Sequence, residues 1–104
     1  MGFLDFLFGK KKQAKVDFKQ LISDGATILD VRTLEEFEAG HIDGAVHIPL
    51  QVLSENLNKI KTLPTPIVAY CRSGRRSGIA TSIINKAGVE TYNGGGMEAL
   101  KALL

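Results

Sequence analysis

Apolar positions along the chain follow two alternating periods. Thr27 to Val31, Ala45 to Ile48, Ile67 to Cys71 and Val89 to Tyr92 are short apolar runs rich in β-branched residues, which predicts strands. Between and around them, apolar residues recur every three or four positions, which predicts helices. Phe18, Leu21 and Ile22 mark the first helix, and Leu34, Phe37 and Ala39 a short second one. Leu50, Leu53, Leu57 and Ile60 form an inward stripe over residues 50–61. Ile79, Ala80, Ile83, Ile84 and Ala87 form another after the third strand, and Met97 to Leu104 reads as a last short helix.

Local signals agree with these boundaries. Asp17 with Gln20, and Thr33 with Glu36, have the spacing of a capping box, while Gly25, Gly40 and Gly88 stand where helices end. Pro64 and Pro66 fence off the strand from Ile67, and Gly94 to Gly96 predict a flexible or tightly turning loop. Strands separated by helices predict an α/β fold: a small single domain with a central parallel sheet flanked by helices on both faces. It is expected to occupy residues 15–104, after an apolar and basic tail over residues 1–14.

The tail begins Met-Gly-Phe-Leu-Asp-Phe-Leu-Phe-Gly and runs into Lys10, Lys11 and Lys12. It is far shorter than the roughly 20 apolar residues a membrane span requires. Its charges follow the apolar part instead of preceding it, which argues against a secretory signal and for a cytoplasmic location. Phe6 stands where a myristoylation pattern wants Ser or Thr. The expected state is a short helix packed on the domain or a frayed end. Weak docking of residues 1–12 on a membrane or protein surface is the alternative.

Chemistry concentrates after the third strand. The only cysteine, Cys71, ends that strand, and Arg72-Ser73-Gly74-Arg75-Arg76-Ser77 leads into a helix. Amides at a helix start carry positive potential, and three arginines add fixed charge, so a thiolate at Cys71 is stabilised and activated. Arg72 and Arg76 are the first candidates for contact with an anionic substrate, ahead of Arg75. Asp30 and Arg32 stand at the end of the first strand and are expected to support the neighbouring loops. His41 and His47 read as structural turn and strand residues.

Composition narrows the classes. The 104 residues fit one domain, and 44% hydrophobic with 23% charged content is ordinary for a soluble globular chain. A net charge of +2, partly from the tail lysines, gives no basic face for nucleic acid. A single cysteine excludes an intrachain disulfide and a multi-cysteine zinc site. Whatever bond Cys71 makes must be resolved by another molecule.

Four separated motifs then resemble a single-domain rhodanese: Ile28-Leu29-Asp30-Val31-Arg32 with Glu35-Glu36-Phe37, Gly40-His41-Ile42-Asp43-Gly44-Ala45 with Ile48-Pro49, Tyr70 through Ser77, and Gly95-Gly96. The similarity covers about residues 15–104. It departs at one point, for members often carry a tryptophan soon after the last glycine pair, and Leu100 stands there. The resemblance implies a sulfurtransferase in which Cys71 takes a sulfane sulfur from thiosulfate or a persulfide donor. The Cys71 persulfide then passes its sulfur to cyanide, a thiol or a sulfur-relay protein. The loop Arg72, Ser73, Gly74, Arg75, Arg76 and Ser77 holds the persulfide, and no metal or organic cofactor is implied.

Two other classes share the same cysteine loop. A non-catalytic sulfur-carrier or partner-binding module needs the same residues as the enzyme. A cysteine phosphatase or arsenate reductase also places a cysteine before a helix. Phosphotyrosine phosphatases put an arginine after five intervening residues, and that position here is Ser77, with Arg76 one residue too early. The spacing favours sulfur transfer.

Overall fold

The computed structural model describes residues 16–104. The tail over residues 1–14 and its docking alternative over 1–12 lie outside the described residues. In chain order the elements are α1 (Phe18–Ser23), β1 (Thr27–Asp30), α2 (Leu34–Ala39), β2 (Val46–His47), a 3₁₀ segment (Leu50–Asn56), α3 (Leu57–Ile60), β3 (Ile67–Cys71), α4 (Arg75–Lys86), β4 (Thr91–Gly96) and α5 (Met97–Leu103).

The four strands form one parallel sheet in the order β2-β1-β3-β4. The two central strands are buried along their whole length, as their continuous apolar runs require. Because side chains alternate, each strand feeds two cores. Leu29, Ile67, Ala69 and Cys71 point to one face, where Leu53, Ile60, Ala80 and Ile84 cover them. Ile28, Val68 and Tyr70 point to the other, under Ile42, Leu100 and the flank of α1. Helices therefore cover both faces. Leu100 is fully buried in the second core.

Several local expectations change. The Thr33–Glu36 capping box is complete, with the Glu36 amide donating to Thr33 Oγ1 (3.2 Å) and the Thr33 amide to Glu36 Oε1 (3.0 Å). At Asp17 only half of the box forms. The Gln20 amide donates to Asp17 Oδ1, but the Gln20 side chain turns to Asp24. The single helix expected over 50–61 is a 3₁₀ segment followed by one α turn, because Pro49 enters it with no side-chain cap. Its inward stripe survives, with Leu53 and Ile60 fully buried. Ile79, expected inward, is 49% exposed on α4, and Leu34 is 57% exposed on α2.

The largest difference is at the fourth strand, expected over Val89 to Tyr92 with a glycine loop after it. The strand instead runs from Thr91 through Gly96, and Gly95 and Gly96 pair with Tyr70 and Cys71. A register shift after the Ala69–Asn93 pair marks a bulge that admits Gly94. A Cβ on Gly96 would lie 2.6 Å from the Arg72 carbonyl oxygen. Glycine there lets β4 approach the chain just past Cys71.

Candidate active site

Cys71 ends β3 at the carboxyl edge of the sheet and is 1% exposed. The chain then turns through Arg72 and Ser73 to Gly74, the N-cap of α4, whose φ of 102° is left-handed. A side chain at Gly74 would be strained in that conformation, and its Cβ would approach Gly95 Cα to 3.3 Å. The turn carries α4 back over the sulfur. No side chain caps this 12-residue helix, and its first amides meet sulfur instead. Cys71 Sγ accepts from the Gly74 amide at 3.0 Å, and from the Ser77 amide and hydroxyl at 3.4 Å each. Burial pushes the thiol's pKa up, but the bonds from Ser77, Gly74 and Ser73 outweigh it and hold the pKa below the ordinary value. Local donors are therefore the leading cause of the shift, where the sequence pointed equally to the arginines.

Asn93, on β4, holds this loop in place and was not singled out by its sequence. It is the ladder partner of Ala69 and faces the same side of the sheet as Cys71. Its Oδ1 accepts from Ser77 Oγ (2.7 Å) and from the Gly95 amide (3.0 Å), while its Nδ2 donates to the Gly74 carbonyl (3.0 Å). The Ser77 hydroxyl has one proton and two acceptors, Asn93 Oδ1 and Cys71 Sγ. It can serve only one at a time. A polar residue two positions before the paired glycines is the only signal the sequence carried.

Asp30 and Arg32 sit on the opposite face from the thiol, within the Tyr70 core. Arg32 Nη2 donates to Asp30 Oδ2 at 2.7 Å and to the Gly40 carbonyl at 2.7 Å, and the Arg32 amide donates to Asp30 Oδ1. Both residues are buried. Burial raises the Asp30 pKa, and the bonds from Arg32 and Tyr70 more than reverse it. Tyr70 accepts from the Ile42 amide at 3.0 Å, and its own ionisation is pushed up to about 12 by burial and the neighbouring Asp30. This network ties the end of β1 to the loop before β2. The two histidines flank Phe37, with ring centroids 3.7 Å away for His41 and 4.4 Å for His47. Each also bonds a backbone carbonyl, so both are structural parts of the loops beyond β1.

The three loop arginines diverge. Arg76 makes a two-pronged ion pair with Glu36, Nη1 to Oε1 at 2.7 Å and Nη2 to Oε2 at 3.0 Å. Its guanidinium clamps the start of α4 to the start of α2. Arg75 is exposed on the first turn of α4. Arg72 lines a cavity of about 340 Å³ with Arg32, Glu36, Gly40, Met97 and Glu98. That cavity opens at the carboxyl ends of β1, β3 and β4, where ligands bind in open parallel sheets.

The clamp gives an acid-stability prediction. The Arg76 bonds, against a smaller burial effect, pull the Glu36 pKa down from 4.5 to about 2. A lowered carboxylate pKa adds stability that is complete above the unfolded value and fades as pH falls toward the folded one. Both side chains are about 30% exposed, so solvent limits the pair to roughly 1 kcal/mol. Arg76→Gln is therefore expected to be about that much less stable at pH 7, with the gap to wild type closing between about pH 4.5 and 2. Urea titrations across that range check it; a gap independent of pH would contradict the pairing.

Among the described residues, no group of three or more His, Cys, Asp or Glu side chains could hold a metal ion. No helix among them is long and apolar enough to cross a membrane.

Known proteins are similar to this chain in sequence and in fold. YqhL of Bacillus subtilis is 45% identical over 69 residues, which is 65% of this chain but only 54% of that protein, so the chain spans about half of that relative's length. PspE of Escherichia coli, a thiosulfate sulfurtransferase, is 32% identical over 72 residues, covering 67% of this chain and 69% of PspE. The human single-domain sulfurtransferase TSTD1 superposes with a TM-score of 0.64 at 28% identity, covering 82% of this chain and 90% of TSTD1. The Rhodanese-like domain family matches residues 14–103, and with the parallel sheet and the cysteine loop at its carboxyl edge already in place, the chain belongs to that family.

Proposed function

We propose that the protein is a sulfurtransferase in which Cys71 carries sulfane sulfur as a persulfide. The observation that carries this reading is the pair of amides, from Gly74 and Ser77, converging on Cys71 Sγ, with the Ser77 hydroxyl within reach as an alternative donor. Donors held in place before reaction stabilise an anion without reorganising. The Cys71 thiolate attacks the outer sulfur of thiosulfate, the sulfur–sulfur bond of the donor breaks with its electron pair, and sulfite leaves. An acceptor thiolate, from a small thiol or a sulfur-relay protein, then attacks the outer sulfur of the persulfide. Cys71 leaves as thiolate, and no external oxidant or reductant enters.

The position where phosphotyrosine phosphatases carry their arginine is filled by Ser77, which faces the sulfur, while Arg76 is committed to Glu36. That arrangement offers no fork for a tetrahedral phosphate and favours sulfur over phosphoryl chemistry. The cycle depends on a free thiol, which suits a reducing compartment such as the cytoplasm.

Intact-protein mass spectrometry after thiosulfate treatment tests the reading. A single added sulfur, mapped to Cys71 and removed by cyanide as thiocyanate, is expected. An unmodified mass with competent donor present would overturn it.

A further inference from the structure

The Ser77 hydroxyl stands between two acceptors, and the geometry ranks them. Its Oγ lies 2.7 Å from Asn93 Oδ1 and 3.4 Å from Cys71 Sγ. Ser77 is fully buried and Cys71 is 1% exposed, so solvent offers the hydroxyl no alternative. A neutral thiol sulfur is a weak acceptor, and about 2.7 Å is the preferred length of an O–H···O bond, so beside a thiol the proton points to Asn93. A thiolate reverses the ranking, because a hydrogen bond to an ionised group is roughly twice as strong as one between neutral partners.

The Asn93 side chain tolerates that exchange. Two backbone groups orient it: Oδ1 accepts from the Gly95 amide, and Nδ2 donates to the Gly74 carbonyl, at 3.0 Å each. One backbone donor and one backbone acceptor admit a single orientation of the amide, so its oxygen stays toward Ser77. When the hydroxyl turns away, Oδ1 keeps the Gly95 bond and is not left bare. We propose that Asn93 is a positioning residue that parks the Ser77 hydroxyl while Cys71 is protonated and yields it to the sulfur whenever Cys71 carries charge. The charged moments are the attack on the sulfur donor and the departure of Cys71 during discharge, and in naming those two steps the proposal rests on the persulfide reading of Cys71. The proton stays on Ser77 throughout, and no covalent bond changes. In the persulfide the inner sulfur is uncharged, and the hydroxyl returns to Asn93. Arg76 also senses charge on Cys71, but it is held by Glu36 and stays ionised, so it does not titrate with the thiol.

The thiol–thiolate equilibrium reads the exchange directly, in full-length protein with its one cysteine. Ultraviolet absorbance of the thiolate is followed against pH. Tyr70 and Tyr92 are both pushed up to about 12 and ionise clear of the thiol. Ser77→Ala is expected to disfavour the thiolate about tenfold, the scale of one hydrogen bond to an ionised group. Asn93→Ala is expected to favour it roughly threefold, because the hydroxyl no longer gives up a neutral bond in order to turn. The double variant is expected to match Ser77→Ala, since Asn93 acts through the hydroxyl. If Asn93 only propped the loop, the sign would be opposite, for a slack Gly74 amide stabilises the thiolate less. Asn93→Asp serves if Asn93→Ala does not fold. Its carboxylate keeps the hydroxyl, so adding Ser77→Ala in that background is expected to lose most of its effect. Three results each overturn the assignment: an unchanged equilibrium in Ser77→Ala, an unmoved or disfavoured thiolate in folded Asn93→Ala, or an equal effect of Ser77→Ala in wild type and in Asn93→Asp. None of these readings requires sulfur loading. Failure of wild type to take sulfur from thiosulfate overturns the persulfide reading and leaves the hydroxyl exchange standing.

Discussion

A Cys71→Ser protein is expected to fold as wild type does and to lose thiocyanate formation from thiosulfate and cyanide by at least about a thousandfold, the scale of removing a covalent nucleophile. Serine keeps an acceptor where Gly74 and Ser77 donate, so no buried donor is abandoned. Alanine is the poorer probe, because it leaves those donors without a partner at about 1–3 kcal/mol each. The shorter carbon–oxygen bond also loosens contacts that sulfur makes at 3.0 and 3.4 Å, so a stability change within about 1 kcal/mol is expected for serine. The chemical loss is of another order. A serine hydroxyl ionises far above any working pH and cannot hold a persulfide, whatever the amides do for an anion. Thiocyanate assays paired with urea denaturation separate the two effects. Retention of more than a tenth of the wild-type rate in folded Cys71→Ser would remove Cys71 from the mechanism.

Most of the architecture was legible in the chain because periodicity and capping signals agreed. Val68 and Tyr70 alternate with Ile67, Ala69 and Cys71, and the structure sends the two sets into separate cores. Thr33 and Glu36 announced a helix start that the structure completes with both bonds. Legibility failed where tertiary contact overrides local preference. Glycines normally weaken a strand. Gly95 and Gly96 are nevertheless ladder residues: at Gly96 the Arg72 carbonyl lies too close for a side chain, and Gly95 takes a left-handed φ of 86° at the bulge. Ile79 keeps helical spacing yet faces outward, since Ala80 and Ile84 already span the covered face.

The candidate site was legible at Cys71 and less so in the residues around it. Cys71 stands out because a lone thiol at a strand end before a helix has few structural reasons to be there. The roles of the arginines depend on who meets them across the fold, which no local window contains. Arg76 finds Glu36 forty positions away in sequence, and that partner turns an expected anion contact into a clamp. Glu36 read only as a cap, and it serves as both cap and ion-pair partner. Asn93 is hidden for the same reason, since its bonds to Gly74 and Ser77 come through the fold rather than from sequence neighbours. Asp30 and Arg32 were the exception. A pair two residues apart at a strand end is local, and it forms as expected.

That pair supports the second large prediction. Asp30 is fully buried and Arg32 is 5% exposed, so each charge is largely shielded from solvent and relies on the other. Asp30→Ala leaves a buried guanidinium whose remaining contacts are the Gly40 carbonyl and the Tyr70 ring, 5.5 Å from its centre. Breaking a buried pair in this way costs about 3–5 kcal/mol. A domain of this size has roughly 5–15 kcal/mol of stability in all, so a large share of it is expected to go. Two controls isolate the cause. Asp30→Asn keeps the shape and an acceptor oxygen for the Arg32 amide, and is expected to fall between wild type and alanine. The double change Asp30→Leu with Arg32→Met removes both charges and is expected to be milder than Asp30→Ala alone, because it strands no ion in the core. If urea denaturation places Asp30→Ala within 1 kcal/mol of wild type, or the double variant below it, the pair does not act as a closed buried unit. The expected order also bears on activity. Arg32 lines the cavity that Arg72 also borders, and an Arg32 released from Asp30 is expected to loosen that wall in whatever fraction of Asp30→Ala remains folded.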